Sequence, residues 1–243
     1  KLLASSHLSV AYGGQPRLLT TGMNINDLDE EKRLAALHNL FEGIDEAYEM
    51  GASGFAFLSG TFPLDKKEES YNALVKSTKE ICDYVRQKGD MKVSLEVFDH
   101  DVDKKSLIGP ASLALRFAEE IKKDHSNFGL MVDLSHIPLI KETIEESLIP
   151  VKDHIIHAHI GNCVMKSREM DAYGDMHPRF GFPNGENDVD EVVDYLRVLF
   201  DIGFLNGVTR PFVSFEIKPF GEEDPDVVIA NAKRTLNDAW AKL

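Results

Sequence analysis

Two sequence patterns alternate along the chain, and their alternation limits the fold more than any other feature. Short apolar runs rich in β-branched and aromatic residues occur at 8–12, 54–58, 92–97, 129–133, 154–159 and 211–216. Such runs suit strands covered on both faces, the habit of parallel sheets. Between them, apolar residues recur at spacings of three and four. One stripe is Leu34, Leu37, Phe41, Ile44 and Tyr48, and a second is Tyr71, Leu74, Val75, Ile81 and Val85. A third is Leu113, Phe117 and Ile121, a fourth Val189, Val192, Leu196 and Leu199, and a last Val228, Ala232, Leu236 and Trp240. Each marks the buried face of an amphipathic helix. The helical signal is weaker between Ile140 and Leu148. Asp188 and Asp224-Pro225 are placed to start helices, and Gly51 and Gly203 to end them.

Repeated strand–helix units predict an α/β fold with a parallel sheet, in one of two forms. A doubly wound sheet that holds a nucleotide carries a Gly-rich turn after its first strand. Here Gly13-Gly14 runs into Gln15-Pro16-Arg17, which is not that fingerprint. The other form is a closed barrel, whose functional residues gather where the strands end. The 243 residues are close to the roughly 250 that such a barrel takes. No linker or compositional break divides the chain, so residues 1–243 are expected to form a single domain.

The polar residues late in the apolar runs carry the chemistry. Glu96 follows Val-Ser-Leu, Asp133 follows Leu-Met-Val, His159 follows Ile-Ile-His-Ala, and Glu216 follows Phe-Val-Ser-Phe. Burying one such group without a partner costs several kcal/mol. A separate salt bridge explains any one of them. Four in consecutive strands that meet at one barrel rim point instead to a shared cation. Three carboxylates and an imidazole suit one divalent ion, Mn²⁺ first, with Mg²⁺, Co²⁺ or Zn²⁺ as alternatives. His157 shares the strand face of His159, but lies earlier in the strand and reads as a core or supporting residue, with His154 at the entry end.

Composition narrows the partners. The net charge is −14, and no basic run offsets it, which disfavours nucleic acid and anionic membrane surfaces. No apolar stretch approaches the roughly 20 residues that span a bilayer, and none has the layout of a signal peptide. The only cysteines, Cys82 and Cys163, fit a reducing, cytoplasmic setting.

Together these segments resemble the xylose-isomerase-like TIM-barrel superfamily, which includes the sugar phosphate isomerase/epimerase families, ketose 3-epimerases, inosose dehydratases and the endonuclease IV type of nuclease. The resemblance rests on Leu-Glu-Val-Phe-Asp at 95–99, Val-Asp-Leu-Ser-His at 132–136, His-Ala-His-Ile-Gly-Asn at 157–162 and Ser-Phe-Glu-Ile-Lys-Pro at 214–219, and it spans essentially the whole chain. It implies a TIM (β/α)8 barrel in which residues matching Glu96, Asp133, His159 and Glu216 hold the metal, and in which Glu96 and Glu216 flank the substrate and exchange its proton. It also implies that the six runs are strands three to eight. The first two β/α units are then missing from the numbered chain, which opens on Lys1 without an initiator Met and reads as though something upstream has been removed.

The loop after the His159 strand holds Asp175, His177 and Arg179, with Glu186-Asn187-Asp188 further on. Insertions on this face commonly form lids. In the superfamily an Asp-x-His here can bind an additional metal or the substrate, while an Asp–His hydrogen bond that only orders the loop explains it equally well. His136, His177, Arg179, Asp175 and Lys218 are the expected substrate contacts, and Asp99, His100, Asp101 and Asp103 are expected in a solvated loop, with lining of the pocket as the alternative for His100. The expected activity is a metal-dependent sugar isomerase or epimerase, acting by proton transfer through a metal-stabilised enediolate on a ketose or keto-polyol. The alternative is a lyase or dehydratase of a keto-inositol or 3-keto-glycoside on the same scaffold. An endonuclease IV-like enzyme ranks lower, although Glu96, Asp133, His136, His159, Asp175, His177 and Glu216 all have counterparts in its three-zinc site. That site also needs histidines from earlier strands, and the run at 54–58 ends without one. A non-catalytic subunit ranks lowest. The expected partner is a small sugar or polyol, with self-association into a homo-oligomer left open.

Overall fold

The computed structural model of the chain describes Ser5 and residues 8–243. Its strands are β1 Ala11–Gly13, β2 Gly54–Leu58, β3 Lys92–Glu96, β4 Phe128–Asp133, β5 Ile155–Gly161 and β6 Phe212–Glu216. Its helices are α1 Gln15–Leu19, α2 Glu30–Met50, α3 Lys67–Lys88, α4 Ala111–Lys122, α5 His136–Ile140, α6 Ile144–Leu148, α7 Val189–Asp201 and α8 Pro225–Trp240. The strands form one sheet in sequence order, β1-β2-β3-β4-β5-β6, and each neighbouring pair is parallel. A doubly wound sheet reverses its order at a switch point. This one never does, so the chain winds one way, as the wall of a barrel does. The result is an α/β half-barrel of the TIM type, with β1 and β6 at its edges.

Local chemistry sets most of the helix ends. Asp29 caps α2 by accepting from the backbone N–H groups of Glu31 and Lys32, and Gly51 closes it at φ 74°. Asp188 and Glu191 form a capping box at the start of α7, and Asp224 caps α8 ahead of Pro225. The weak signal around 140–148 has a cause. Two single-turn helices, α5 and α6, are separated by Lys141 at φ 66°, and a Thr143–Glu146 capping box starts the second. Neither is long enough for a stripe to repeat. The run at 8–12 becomes a strand only from Ala11, after an exposed Leu8.

The strands show two distinct faces. Val93 and Leu95, Leu130 and Val132, and Ala158 and Ile160 pack outward in the hydrophobic core, with Phe117 of α4 and Tyr195 of α7 among the buried residues there. The period-two alternation turns Ser94, Met131, His157, His159, Ser214 and Glu216 to the inner face, where they line a cavity of about 620 Å³. That cavity runs the length of the sheet, from Lys92 at one end to Lys218 at the other. No helix among the described residues is long and apolar enough to cross a membrane.

Candidate functional site

Four strands carry one polar residue each to the same point. Glu96, Asp133 and Glu216 are the last residues of β3, β4 and β6, and His159 lies near the end of β5, opposite Asp133 in register. One ligand atom from each lies within 4.8 Å of the other three. Gly161 makes room for them. A Cβ there would fall 2.8 Å from the Glu216 carbonyl oxygen and 3.1 Å from Asp133 Oδ1, so only glycine lets the two strand ends close up.

His159 sits at the middle. Its Nδ1 is hydrogen-bonded to Glu216 Oε2, and lies 3.3 Å from Glu96 Oε1 and 3.6 Å from Asp133 Oδ2. Burial disfavours an imidazolium, but the adjacent carboxylates of Asp133, Glu216 and Glu96 hold the His159 pKa well above its ordinary value. Glu216 is raised as well. Burial and the nearby Glu96 charge push its carboxyl up to about 7. Each carboxylate is only partly satisfied. Asp133 Oδ1 accepts from the Ser135 backbone at 2.6 Å, and Glu96 Oε2 accepts from Gln15 Nε2 at 2.6 Å. The remaining oxygens, Glu96 Oε1 and Asp133 Oδ2, are buried with no hydrogen-bond donor. Two orphaned carboxylate oxygens that face one imidazole are what a divalent cation would satisfy, so the donor set fits the metal that the sequence led us to expect.

A second group adjoins the first. His136 Nε2 and His177 Nε2 lie 3.1 Å and 2.9 Å from Asp175 Oδ1, and His177 Nε2 is 3.5 Å from Glu216 Oε1. His136 Nδ1 donates to the Val97 carbonyl at 2.8 Å, which leaves Nε2 to face Asp175. Ligand atoms of these three residues also cluster within 4.8 Å. Burial opposes charge on all three. The Asp175 carboxylate nevertheless lifts His136 and His177 above the usual imidazole range, and the two histidines hold Asp175 well below the carboxylate range. Lys104 Nζ closes the group at 3.0 Å from Asp175 Oδ2.

The expected substrate contacts separate into two sets. Asp175, His177 and Lys218 line the cavity. His136 is fully buried behind Asp175 and is not among the lining residues. Arg179 turns away as well. Its Nε donates to Glu223 Oε1 at 2.8 Å and its Nη1 to the Phe180 carbonyl, which ties the loop to the segment ahead of α8. His157 hydrogen-bonds Ser214 Oγ at 3.0 Å, and burial pushes its pKa down to about 4. His154 stands at the entry end of β5, half-buried.

The segment after β3 is solvated at Asp101 and Asp103, as expected, but not at Asp99. Asp99 is fully buried and accepts from the backbone N–H groups of Val102, Asp103, Lys104 and Lys105. This loop aims Lys104 at Asp175, and Asp103 Oδ2 accepts from the Asp175 N–H at 2.9 Å. Neither Lys104 nor Gln15 was picked out from sequence as a site residue. Buried Asn187 was quoted only as part of the loop. Its Nδ2 donates to the Leu134 and Gly161 carbonyls, which anchors the loop beside the site.

Comparison with known proteins agrees with the fold. The sequence profile of a family described as a xylose isomerase-like TIM barrel matches residues 3–231. No curated protein matches the sequence. Among solved structures, a D-tagatose 3-epimerase-like protein is 18% identical with a TM-score of 0.71, over 99% of this chain and 82% of that one. A 3-keto-D-glucoside 4-epimerase from E. coli is 18% identical with a TM-score of 0.64, over 99% of this chain and 81% of that one. The IOLI protein with a bound zinc atom is 18% identical with a TM-score of 0.62, over 90% of this chain and 71% of that one. At such identities the likeness establishes the fold.

Proposed function

The chain belongs to the xylose isomerase-like TIM barrel family, and from that premise we propose that it is a divalent-metal-dependent isomerase or epimerase of a ketose or keto-polyol. The observation that carries this reading is the convergence of Glu96, Asp133, His159 and Glu216, with two orphaned carboxylate oxygens, beside a cavity large enough for a sugar. Three neighbours with sugar-epimerase names support it. Glu96, Asp133, His159 and Glu216 hold the ion, Mn²⁺ in this reading. The ion, when bound, supplies a Lewis acid that polarises a substrate carbonyl and offsets the charge developing on its oxygen.

The protein's own residues do the rest. Glu216 lines the cavity, within reach of a bound substrate, and takes the proton. His177 and Lys218 line the same cavity and bind substrate hydroxyls. Asp175 orients His177, and Ser135 Oγ lies 3.2 Å from its Nδ1. Return of a proton to the opposite face of the carbon it left, with Glu96 as the second proton carrier, gives epimerisation, and return to the neighbouring carbon gives isomerisation. Loss of a β-substituent is the lyase branch of the same start. The two cysteines, free and buried, fit work in the cytoplasm.

One observation favours a second reading. The His136–Asp175–His177 group beside the first cluster suits a multi-metal hydrolase of phosphate esters. The ends of β1 and β2 oppose it, since they lead into Gln15 and Ser59 rather than imidazoles, and so does the net charge of −14.

Incubation of the Mn²⁺-loaded protein in D₂O with D-tagatose, D-fructose, L-ribulose and keto-inositols tests the proposal. Deuterium should enter one carbon of a true substrate, and Glu216→Gln should abolish the exchange. Cleavage of abasic DNA with no exchange in any sugar would move the assignment to the second reading.

A further inference from the structure

The turn after β1 has no part in the mechanism above, yet it delivers a side chain to the centre. Gln15 opens α1, and its Nε2 donates to Glu96 Oε2 at 2.6 Å across 81 residues of sequence. The turn is pressed against β2. The Gly14 N–H donates to the Ala56 carbonyl at 2.8 Å, and a Cβ on Gly14 would fall 2.6 Å from the Phe55 ring and 2.7 Å from that carbonyl oxygen. Pro16 then fixes the first turn of α1. Gly-Gly-Gln-Pro therefore works as a bracket that holds one amide in one place.

The two oxygens of Glu96 have different surroundings as a result. Oε2 is taken by the amide, while Oε1 faces His159 Nδ1 at 3.3 Å and has no donor of its own. Gln15 lines the cavity and Glu96 does not. Resting on the functional reading above, we propose that Gln15 is a positioning residue for the metal centre. Its amide holds Glu96 Oε2 in place and so leaves Oε1 for the ion.

The test needs only the metal-free protein and metal ions. Gln15→Ala removes the amide, and Gln15→Met removes the donor while keeping the length, in case the smaller side chain lets the turn collapse. Titration calorimetry with Mn²⁺ should show the tight site weakened about 10- to 100-fold in both variants, the loss typical when a hydrogen-bond partner of a metal ligand is removed. The visible spectrum of the Co²⁺-substituted protein should also change in both, because a released Glu96 can turn its second oxygen onto the ion. A role in folding alone would lower the melting temperature, yet leave the Co²⁺ spectrum and the affinity of the folded fraction as in the wild type. Wild-type affinity and superimposable spectra in both variants would overturn the role of Gln15 and leave the functional reading standing. A wild-type protein that binds no Mn²⁺ would overturn both.

Discussion

Charges on the helical shell and charges at the strand ends obey different rules in this protein. On the shell, oppositely charged side chains pair in water. Arg116 of α4 grips Glu68 of α3 through two hydrogen bonds of 2.9 and 2.8 Å, and Lys88 reaches Asp45 at 2.6 Å. A paired carboxylate there gains a cation, so hydrogen bonds from Arg33 and Lys76 hold Glu30 at about 2. At the strand ends, Glu96, Asp133 and Glu216 converge on one imidazole out of reach of any arginine, and burial drives Glu216 up to about 7. The paired charges of the shell compensate one another, whereas Glu96, Asp133 and Glu216 have no lysine or arginine partner among the described residues. A fold keeps an uncompensated cluster of that kind only where something else completes it.

The largest effects should follow from removing a rim ligand. Asp133→Ala deletes the carboxylate whose Oδ2 is orphaned and whose Oδ1 receives the Ser135 N–H. Mn²⁺ affinity should fall by more than the roughly 100-fold expected for the partner of a ligand, with deuterium exchange lost as well. Titration calorimetry decides the point. An Asp133→Ala protein that binds Mn²⁺ as the wild type does would show that the rim needs no ion, and the contrast with the shell would disappear.

Much of this contrast was visible in the sequence, for a physical reason. Strand and helix periods are local, so the runs at 54–58 and 211–216 and the stripes on α2, α3 and α7 could be read directly. The four strand-end residues were legible because each interrupts an apolar run. The partners of those residues were not. Gln15 meets Glu96 across 81 residues, and Lys104 meets Asp175 through a loop organised by a buried Asp99. Only tertiary packing brings such pairs together, and no spacing rule announces it. His136 and Arg179 show the converse. Both lie in segments that run past the site, but one packs behind Asp175 and the other turns to Glu223.

Proton linkage should give an intermediate effect, with a definite sign. Without metal, the carboxylates around His159, His136 and His177 hold these imidazoles above their ordinary value of 6.5, although burial opposes it. A group raised in this way stabilises the fold fully below its unfolded pKa, and the contribution is lost as pH rises through the folded pKa. Glu216 acts in the same direction, since it is held at about 7 against 4.5 and must ionise as pH rises. The metal-free protein should therefore melt at lower temperature as pH climbs from 6.5 to 9, and Mn²⁺ should remove most of that slope by supplying the positive charge instead. His157 has the opposite sign, but its window lies lower. It is depressed to about 4, so its contribution is present above 6.5 and lost as pH falls from there. A melting temperature that is flat or rising over pH 6.5 to 9 in EDTA would contradict the charge deficit at the rim.

The smallest effect belongs to the shell, and it makes the comparison a controlled one. Arg116 and Glu68 form a bidentate pair with good geometry, and the Arg116 guanidinium lies 4.0 Å from the Tyr71 ring centroid. On distance alone this pair rivals anything at the strand ends. It differs in solvent, since the two side chains are 49% and 65% exposed. Water already solvates both charges in the unfolded chain and nearly as well in the folded one, so pairing gains little beyond what hydration supplied. Salt screens the remainder. Arg116→Ala should then shift the melting temperature by no more than about 2 °C, less still in high salt, and leave Mn²⁺ affinity and the pH slope of the metal-free protein unchanged. The variant and Asp133→Ala remove one charge each, from opposite sides of the same sheet. If burial without compensation is what distinguishes the rim, only Asp133→Ala can reach the metal. An Arg116→Ala protein with weakened Mn²⁺ binding would mean that the shell charges act on the rim through the fold, and that the two regions are not independent.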